Sequence, residues 1–398
     1  MNLICVYSYY HSEEFVDKMN QKIKRRSLYF LFFYLANIFF SSAVSAVSSD
    51  VTVEIGIFSN VTRANIGGKN DLKVLSKNKT VNFSAGDYSV IATKSGLQIG
   101  NKNFGSRVEI ISSGYISVNG RGYRGSLILI KKSKYRFTVI NRVDLEEYLY
   151  GVMCPEISPN WPEETLKAQA VISRTYALKN LTKHSGEGFN LCDRVHCQVY
   201  AGLSGENPRT NQAVDATRGE ILIYKEEPID AFFHSTCGGY TEKPSNVWGS
   251  PNDPEYLQGV KCEFCADDPR YYWEHNLTKG QIASVLRKKG YSIKEIKKIE
   301  VYKKGNGGRV SKLEIIDGRG KKYILLANQF RLFFNPENQR STFVEIKTYN
   351  DTYQFKGKGW GHGVGLCQWG ARGMGLKGYN YRQILEYYYP GTRLKKVK

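Results

Sequence analysis

Cysteine is sparse in this chain, at eight of 398 residues, which excludes a small scaffold held mainly by disulfides. Any cysteine role is therefore local: a metal ligand, a bridge or a thiol. Proline is scarce too, at eleven, and 38 glycines are too few for a collagen-like chain. Acidic side chains are outnumbered, 37 Asp and Glu against 57 Lys and Arg, giving a formal charge of +20. Long apolar runs are limited to one near the N-terminus, which excludes a multi-span membrane protein. There is no internal repeat and no low-complexity linker. What is present is a folding composition, 41% hydrophobic and 24% charged, with length for two or three domains.

The single apolar run, Leu28 to Phe40, follows Lys22, Lys24, Arg25 and Arg26 and precedes the small residues Ser41 to Ser49. A basic head, an apolar stretch and a small-residue exit predict a secretory signal over residues 1–46, with Val44 and Ala46 at the minus-three and minus-one positions. A retained N-terminal membrane anchor is the alternative, since the run reaches about seventeen residues when counted to Val44, near the lower limit for a span. Met19, directly before the basic cluster, offers a second translation start. Either way the body is expected to be exported, to the periplasm, the cell envelope or the extracellular wall. Residues 1–46 hold five basic and three acidic side chains, so the body keeps +18. Export argues against nucleic acid as the target of that charge and for an anionic wall polymer or membrane face; a merely soluble basic surface is the other reading.

From Val51 to about Ile140, short alternating runs (VTVEIGIF, YSVIAT, SRVEII, YISVNG, SLILIKK, YRFTVI) are split by turn residues and predict a mostly β segment. Between Leu145 and Leu181 the period turns helical. Pro162 suits a first helical turn, Glu163 and Glu164 complement the dipole, and Leu166, Ala170, Ser173, Ala177 and Leu181 recur on one face, predicting one long helix over about 163–181. Residues 279–331 carry fifteen Lys or Arg and four Asp or Glu, with an amphipathic helix (QIASVLRKKG) leading into strands (KIEVYKK, VSKLEIID, KKYILLA). That excess reads as a wall-polymer contact or a solvated face. The expected fold is α+β: a β-rich region over 47–107, a mixed core with the long helix over 108–278 and 348–398, and an inserted basic α+β lobe over 279–347 flanking a substrate cleft.

In GKGWGHGVG the glycines at 357, 359, 361, 363 and 365 alternate. On a strand this leaves one face bare for a flat ligand or another backbone, with Lys358, Trp360, His362 and Val364 opposite. No dinucleotide or Walker spacing surrounds it, so it is not a nucleotide loop, and close strand packing is the structural alternative. Gln368, Trp369 and Gly370 follow, then a last helix capped by Asn380 that ends before Pro390 and Gly391. Cys192 and Cys197, with His196 between them and His184 upstream, form one group of soft ligands; Cys237 and the pair Cys262 and Cys265 add others. Metal ligation and disulfide bonding both stay open, because spacing does not give connectivity. Glu156 falls in GVMCPEISPNWPEET, expected as a Pro- and Ser-rich loop ahead of Trp161. An apolar wall there would raise its pKa and keep it protonated, as a general acid requires; an ordinary loop glutamate would be solvated.

Four ordered blocks, VDLEEYLYGVMCPEISPNWPEETLKAQAVISRTYAL, CDRVHCQVYAG, FFHSTCGGYTE and GKGWGHGVGLCQWGARGMGLKGYNYRQILEYYYPGT, closely resemble the signature of the SpoIID/LytB family. This is the sporulation protein D and amidase-enhancer group of bacterial cell-wall proteins. The resemblance covers about residues 108–395 and hardly touches 51–107. It implies a lytic transglycosylase that cuts the MurNAc–GlcNAc β-1,4 bond of peptide-stripped peptidoglycan strands and leaves a 1,6-anhydro sugar. It implies Glu156 as the catalytic acid/base, since this residue matches the glutamate of the family's GV-x-x-x-E block. His196, Gln198, Ser235, Thr236 and His362, all in family-like blocks, are the implied substrate contacts. Zinc held by a His and two Cys in some relatives implies His184, Cys192 and Cys197 as metal ligands, at a spacing that differs from the relative's, with Cys154 and Cys237 as further thiols able to complete or replace the set. Expected partners are glycan strands of peptidoglycan and no nucleic acid. A non-catalytic wall-binding enhancer, partnered by a cell-wall amidase, is the alternative function, and a metal-dependent amidase is a third.

Overall fold

Alternating apolar side chains oblige the N-terminal strands to hide one face. The computed structural model describes residues 51–397 apart from Asn78; the expected signal or anchor, residues 1–46, lies outside the described residues. Val53, Ile55 and Ile57 of the strand Thr52–Val61 and Phe137, Val139 and Val143 of Arg136–Asp144 enter one core, and the two strands pair antiparallel. They are the second and third strands of a seven-stranded sheet in the order Leu191–Cys192, Thr52–Val61, Arg136–Asp144, Ser126–Ser133, Arg107–Ser112, Leu72–Ser76, Lys79–Phe83. A six-stranded sheet runs Arg121–Tyr123, Ile116–Val118, Arg63–Gly68, Gly86–Ala92, Leu97–Ile99, Lys102–Phe104. Its Ile66, Val90 and Leu97 share the same core. With the helices that follow, the fold is α+β.

Eight helices lie among the described residues: α1 (Leu145–Glu156), α2 (Glu163–Lys179), α3 (Pro208–Ala216), α4 (Pro244–Trp248), α5 (Lys279–Lys288), α6 (Ala327–Phe333), α7 (Gln368–Leu376) and α8 (Tyr381–Tyr388). The expected long helix is α2, with Pro162 as its N-cap. It is buried all round from Thr165 to Ala177 except Lys167, not on one face, because α1, α3, α7 and α8 pack around it. Its polar side chains are satisfied inside the core. The Thr165 hydroxyl donates to the Ala371 carbonyl at 3.1 Å, the Thr175 hydroxyl to the Val171 carbonyl at 2.7 Å, and Arg174 meets Glu146 of α1 at 2.6 Å with both side chains buried.

A second core is built by Trp273, Leu277, Ile282, Leu286, Ile299, Leu313, Phe330, Tyr353 and Phe355. It joins two three-stranded sheets, Tyr272–Thr278, Thr352–Lys358, Val344–Tyr349 and Ile296–Lys304, Val310–Asp317, Lys322–Leu326, with α5 and α6. Thr278 and Gln281 form a capping box at the start of α5. Lys297, Lys298, Lys303 and Lys304 of this lobe are exposed.

The glycine alternation does not lie on a strand. The strand ends at Lys358, and Gly359, Gly361, Gly363 and Gly365 have φ of 81, 109, 89 and 71°. Left-handed backbone at every second residue is incompatible with a pleated strand and available mainly to glycine. The segment therefore winds as a loop whose bare positions admit another backbone. A Cβ on Gly359 would stand 2.6 Å from the Thr236 carbonyl oxygen, and one on Gly365 2.0 Å from that of Phe232. Residues 232–238 thus lie against the loop, joined by a Thr236–Trp360 bridge and by parallel pairing of Phe233–His234 with Leu366–Cys367. As expected, Asn380 caps α8, in a capping box with Gln383.

Candidate active site

Glu156 is not on a loop; it is the last residue of α1. Pro155 sits in the final turn, where its missing N–H leaves the Gly151 carbonyl without its helical donor. The Ala201 N–H fills that place at 3.1 Å, docking residues 198–201 along the end of the helix. The Val199 N–H then donates to Glu156 Oε1 at 2.9 Å. Oε2 has no protein hydrogen bond among the described residues. Burial pushes the Glu156 carboxyl up to about 7, and the Val199 N–H pulls the other way. The negative end of the α1 dipole also favours the protonated form.

The dock depends on Gly151, where an added Cβ would stand 2.5 Å from the Tyr200 ring and 3.0 Å from the Gly202 carbonyl oxygen. Gly151→Ala is expected to cost about 1–3 kcal/mol through overpacking. By lifting Val199 from Glu156 it should also raise the glutamate's pKa above that of the wild type, measurable by denaturant unfolding and by NMR titration of the carboxyl. An unchanged titration would show that the Val199 contact does not set the acid.

Gln368, the first residue of α7, holds the main chain at Glu156: its Nε2 donates to the Glu156 carbonyl at 3.3 Å and to Gln169 Oε1 at 3.4 Å. The next residue, Trp369, donates its N–H to the Ser235 carbonyl at 3.0 Å, and its ring packs edge-on against Trp161, with centroids 5.2 Å apart. Glu156, Val199, Gln368, Trp369 and Ser235 are thereby brought together from four distant segments. Gln368 follows directly on the glycine loop in sequence, but its contact to Glu156 spans 212 residues, which spacing could not reveal.

The other anticipated residues fall in three places. Gln198 is fully buried, accepting from the Tyr148 hydroxyl at 3.3 Å, with Nε2 unpartnered. Thr236 is fully buried and donates to Asp268. Half-buried His362 stands among His234, Trp248 and Phe232, with ring centroids 5.4, 5.1 and 6.4 Å away; burial, with Arg331 and Arg309 nearby, lowers its pKa to about 3, so the ring is neutral. No hydrogen bond or ring contact joins it to Glu156 among the described residues.

His196 faces the cysteines rather than Glu156. The ligand atoms of His184, Cys192, His196 and Cys197 lie within 4.8 Å of one another, and none of these cysteines is in a disulfide. Cys197 Sγ is 3.4 Å from His184 Nε2 and 3.7 Å from His196 Nδ1, and Cys192 Sγ is 3.8 Å from His196 Nδ1. A tetrahedron with bonds of about 2.0 Å to nitrogen and 2.3 Å to sulfur has edges of about 3.3–3.8 Å, so the donor set fits zinc. Glu187 Oε1 stands 2.6 Å from His184 Nδ1 and turns Nε2 toward the sulfurs, as a carboxylate behind a ligating imidazole does.

A cleft of about 640 Å³ lies away from Glu156, on the second lobe, lined by Tyr272, Trp273, Lys304, Phe343, Lys356 and Lys358 among others.

Residues 133–224 match the family described as Stage II sporulation protein (SpoIID), and residues 246–365 match a domain of unknown function, DUF8618. An uncharacterised protein of Brachyspira hyodysenteriae is 34% identical over 277 residues, covering 69% of this chain and 73% of that protein. The amidase enhancer of Bacillus subtilis is 28% identical over 370 residues, 78% of this chain and 50% of its own length. Stage II sporulation protein D of the same organism is 29% identical over 316 residues, 75% and 89% of the two chains. On the matched block around Glu156 and the extent of these relatives, the chain belongs to the SpoIID family.

Proposed function

We propose that the protein is a peptidoglycan lytic transglycosylase with Glu156 as its single acid/base. Family membership supports a role at the cell wall. The observation that carries the enzymatic reading is the Glu156 carboxyl itself: half-buried, raised to about 7, one oxygen anchored by Val199 and the other without a protein hydrogen bond among the described residues. A carboxyl with that pKa is protonated often enough near neutrality to donate to the glycosidic oxygen, and basic enough afterwards to take a proton back. The proton it takes comes from the muramyl O6 hydroxyl, whose oxygen attacks C1 of the same sugar and closes the 1,6-anhydro ring. Water and a second carboxylate are not required, unlike ordinary glycosidases. Ser235 and His362 keep exposed surface and are proposed as sugar contacts. Buried Gln198 and Thr236 support the groove from behind.

His184, Cys192, His196 and Cys197 are the proposed holders of a zinc ion. Bound there, it would fix the 184–197 segment in a closed four-ligand site, a structural rather than hydrolytic use of zinc. The segment it fixes continues into Val199, the donor to Glu156. The basic second lobe is the proposed contact for anionic wall polymer, outside the cell membrane, after export through the N-terminal signal or anchor.

Digestion of peptide-free glycan strands, read by mass spectrometry, is expected to yield 1,6-anhydro-muramyl ends. Release of stem peptides from intact, peptide-bearing peptidoglycan in a parallel digestion would point instead to an amidase. The similarity to the amidase enhancer favours one second reading, a non-catalytic enhancer of a wall amidase; it predicts no anhydro ends from the protein alone and faster stem-peptide release when an amidase is added.

A further inference from the structure

Cys237, Cys262, Cys265 and Cys367 come from segments as far as 130 residues apart and meet in the core at 0, 2, 1 and 0% exposure. Their sulfurs all lie within 4.8 Å of one another, with 3.5 Å between Cys237 and Cys265, and none is in a disulfide. A tetrahedral ion with bonds of about 2.3 Å to sulfur sets edges of about 3.8 Å, so a cage of this size suits a single ion. The surroundings are those of charged sulfur ligands, which are stabilised by hydrogen bonds from backbone and side chains. The Cys237 and Gly370 N–H groups donate to Cys367 Sγ at 3.2 and 3.3 Å, the Gly239 N–H lies 3.3 Å from Cys237 Sγ, and the Tyr388 hydroxyl lies 3.2 Å from Cys262 Sγ. Gly370 must be glycine: a Cβ there would stand 2.7 Å from Cys262 Sγ and 2.0 Å from the Tyr388 hydroxyl.

A second observation points the same way. Arg309 is 1% exposed, its Nη2 donates to the Cys237 carbonyl at 2.7 Å, its Nε has no partner, and no carboxylate pairs with it among the described residues. A buried guanidinium held in no direct ion pair is costly. Four thiolates around a divalent ion carry net negative charge, and Cys237, Cys367 and Cys265 act on Arg309 together with the buried Glu242 carboxylate.

We propose that Cys237, Cys262, Cys265 and Cys367 bind one zinc ion in a closed tetrathiolate site, separate from the His184 cluster. The ion would clamp the 235–239 segment and the 262–265 loop to the N-terminus of α7, where Cys367 precedes the Gln368 that touches Glu156. The site does not rest on the enzymatic reading, and its test is metal and thiol content. The wild-type chain, denatured in chelator and alkylated without reductant, is expected to show all four cysteines as free thiols. Native protein carrying His184→Ala and Cys197→Ser, which disable the other cluster, should retain one equivalent of zinc. Cobalt(II) exchanged into that variant should show intense thiolate charge-transfer absorption. Adding Cys262→Ser and Cys265→Ser should remove both signals. Disulfides among the four in the wild-type chain, or no zinc in the His184→Ala/Cys197→Ser protein, would overturn the site. The thiol map needs no substitution, so it stands whether or not a variant folds.

Discussion

Glu156→Gln is expected to lower the rate of anhydro-muramyl end formation by about two to four powers of ten, with the fold retained. The amide keeps the size of the side chain and an oxygen for the Val199 N–H, but it neither gives nor takes the proton that the proposed reaction moves. The wild-type rate should also follow the ionisation of this one group. Because the first step of the proposed reaction uses the protonated carboxyl, activity is expected to decline as pH rises through about 7, by roughly tenfold per unit beyond it. The same group leaves a thermodynamic trace. A carboxyl whose pKa rises from 4.5 to about 7 on folding contributes stability that is fully present below pH 4.5 and lost as pH climbs through about 7. The Gln variant does not titrate, so its unfolding midpoint should gain on the wild type across that window. A Gln variant that still releases anhydro ends at the wild-type rate would remove Glu156 from the chemistry, and parallel pH–stability curves would show that its carboxyl is not raised in the folded protein.

Arg174→Met is expected to destabilise the protein by about 3–5 kcal/mol, the usual cost of leaving a buried charge without its partner. The Arg174 side chain donates through Nε and Nη2 to Glu146 at 2.8 and 2.6 Å, and to the carbonyls of Glu220 and Val214 at 3.0 and 3.2 Å. Glu146 also accepts from the Gly219 N–H at 3.0 Å. This network ties α1, which ends in Glu156, to α2, to the end of α3 and to the strand Glu220–Tyr224. Removing the arginine strands a carboxylate in the core. Adding Glu146→Leu removes that charge, so the double variant should recover a large part of the loss, which urea unfolding of the two variants and the wild type would measure. A cost under about 1 kcal/mol for Arg174→Met would show that the pair behaves as a surface ion pair does.

Features that depend on a few neighbouring residues were legible in the sequence. Period-two alternation placed the strands around Val53, Val90 and Val139; Asn380 marked the start of α8; and the period of 3.6 found α2. Each arises from local sterics and from one face meeting water. The block around Glu156 named that residue, but not its helix, because Pro155 signals a break unless a distant N–H takes the carbonyl it frees. The glycine segment reads as a strand for a related reason: alternation in residue type does not report the sign of φ. Whether α2 would be buried on one side or on all sides depended on helices as far as 217 residues away. Sequence alone determined which residues could do chemistry, a glutamate, a set of thiols and imidazoles, and a glycine-rich segment, because side-chain type sets reactivity. Only the tertiary structure decided that the thiols divide into two clusters, that His196 joins one of them, and that Val199 meets the Glu156 carboxyl and Gln368 its carbonyl, since these depend on long-range contacts that no local pattern encodes.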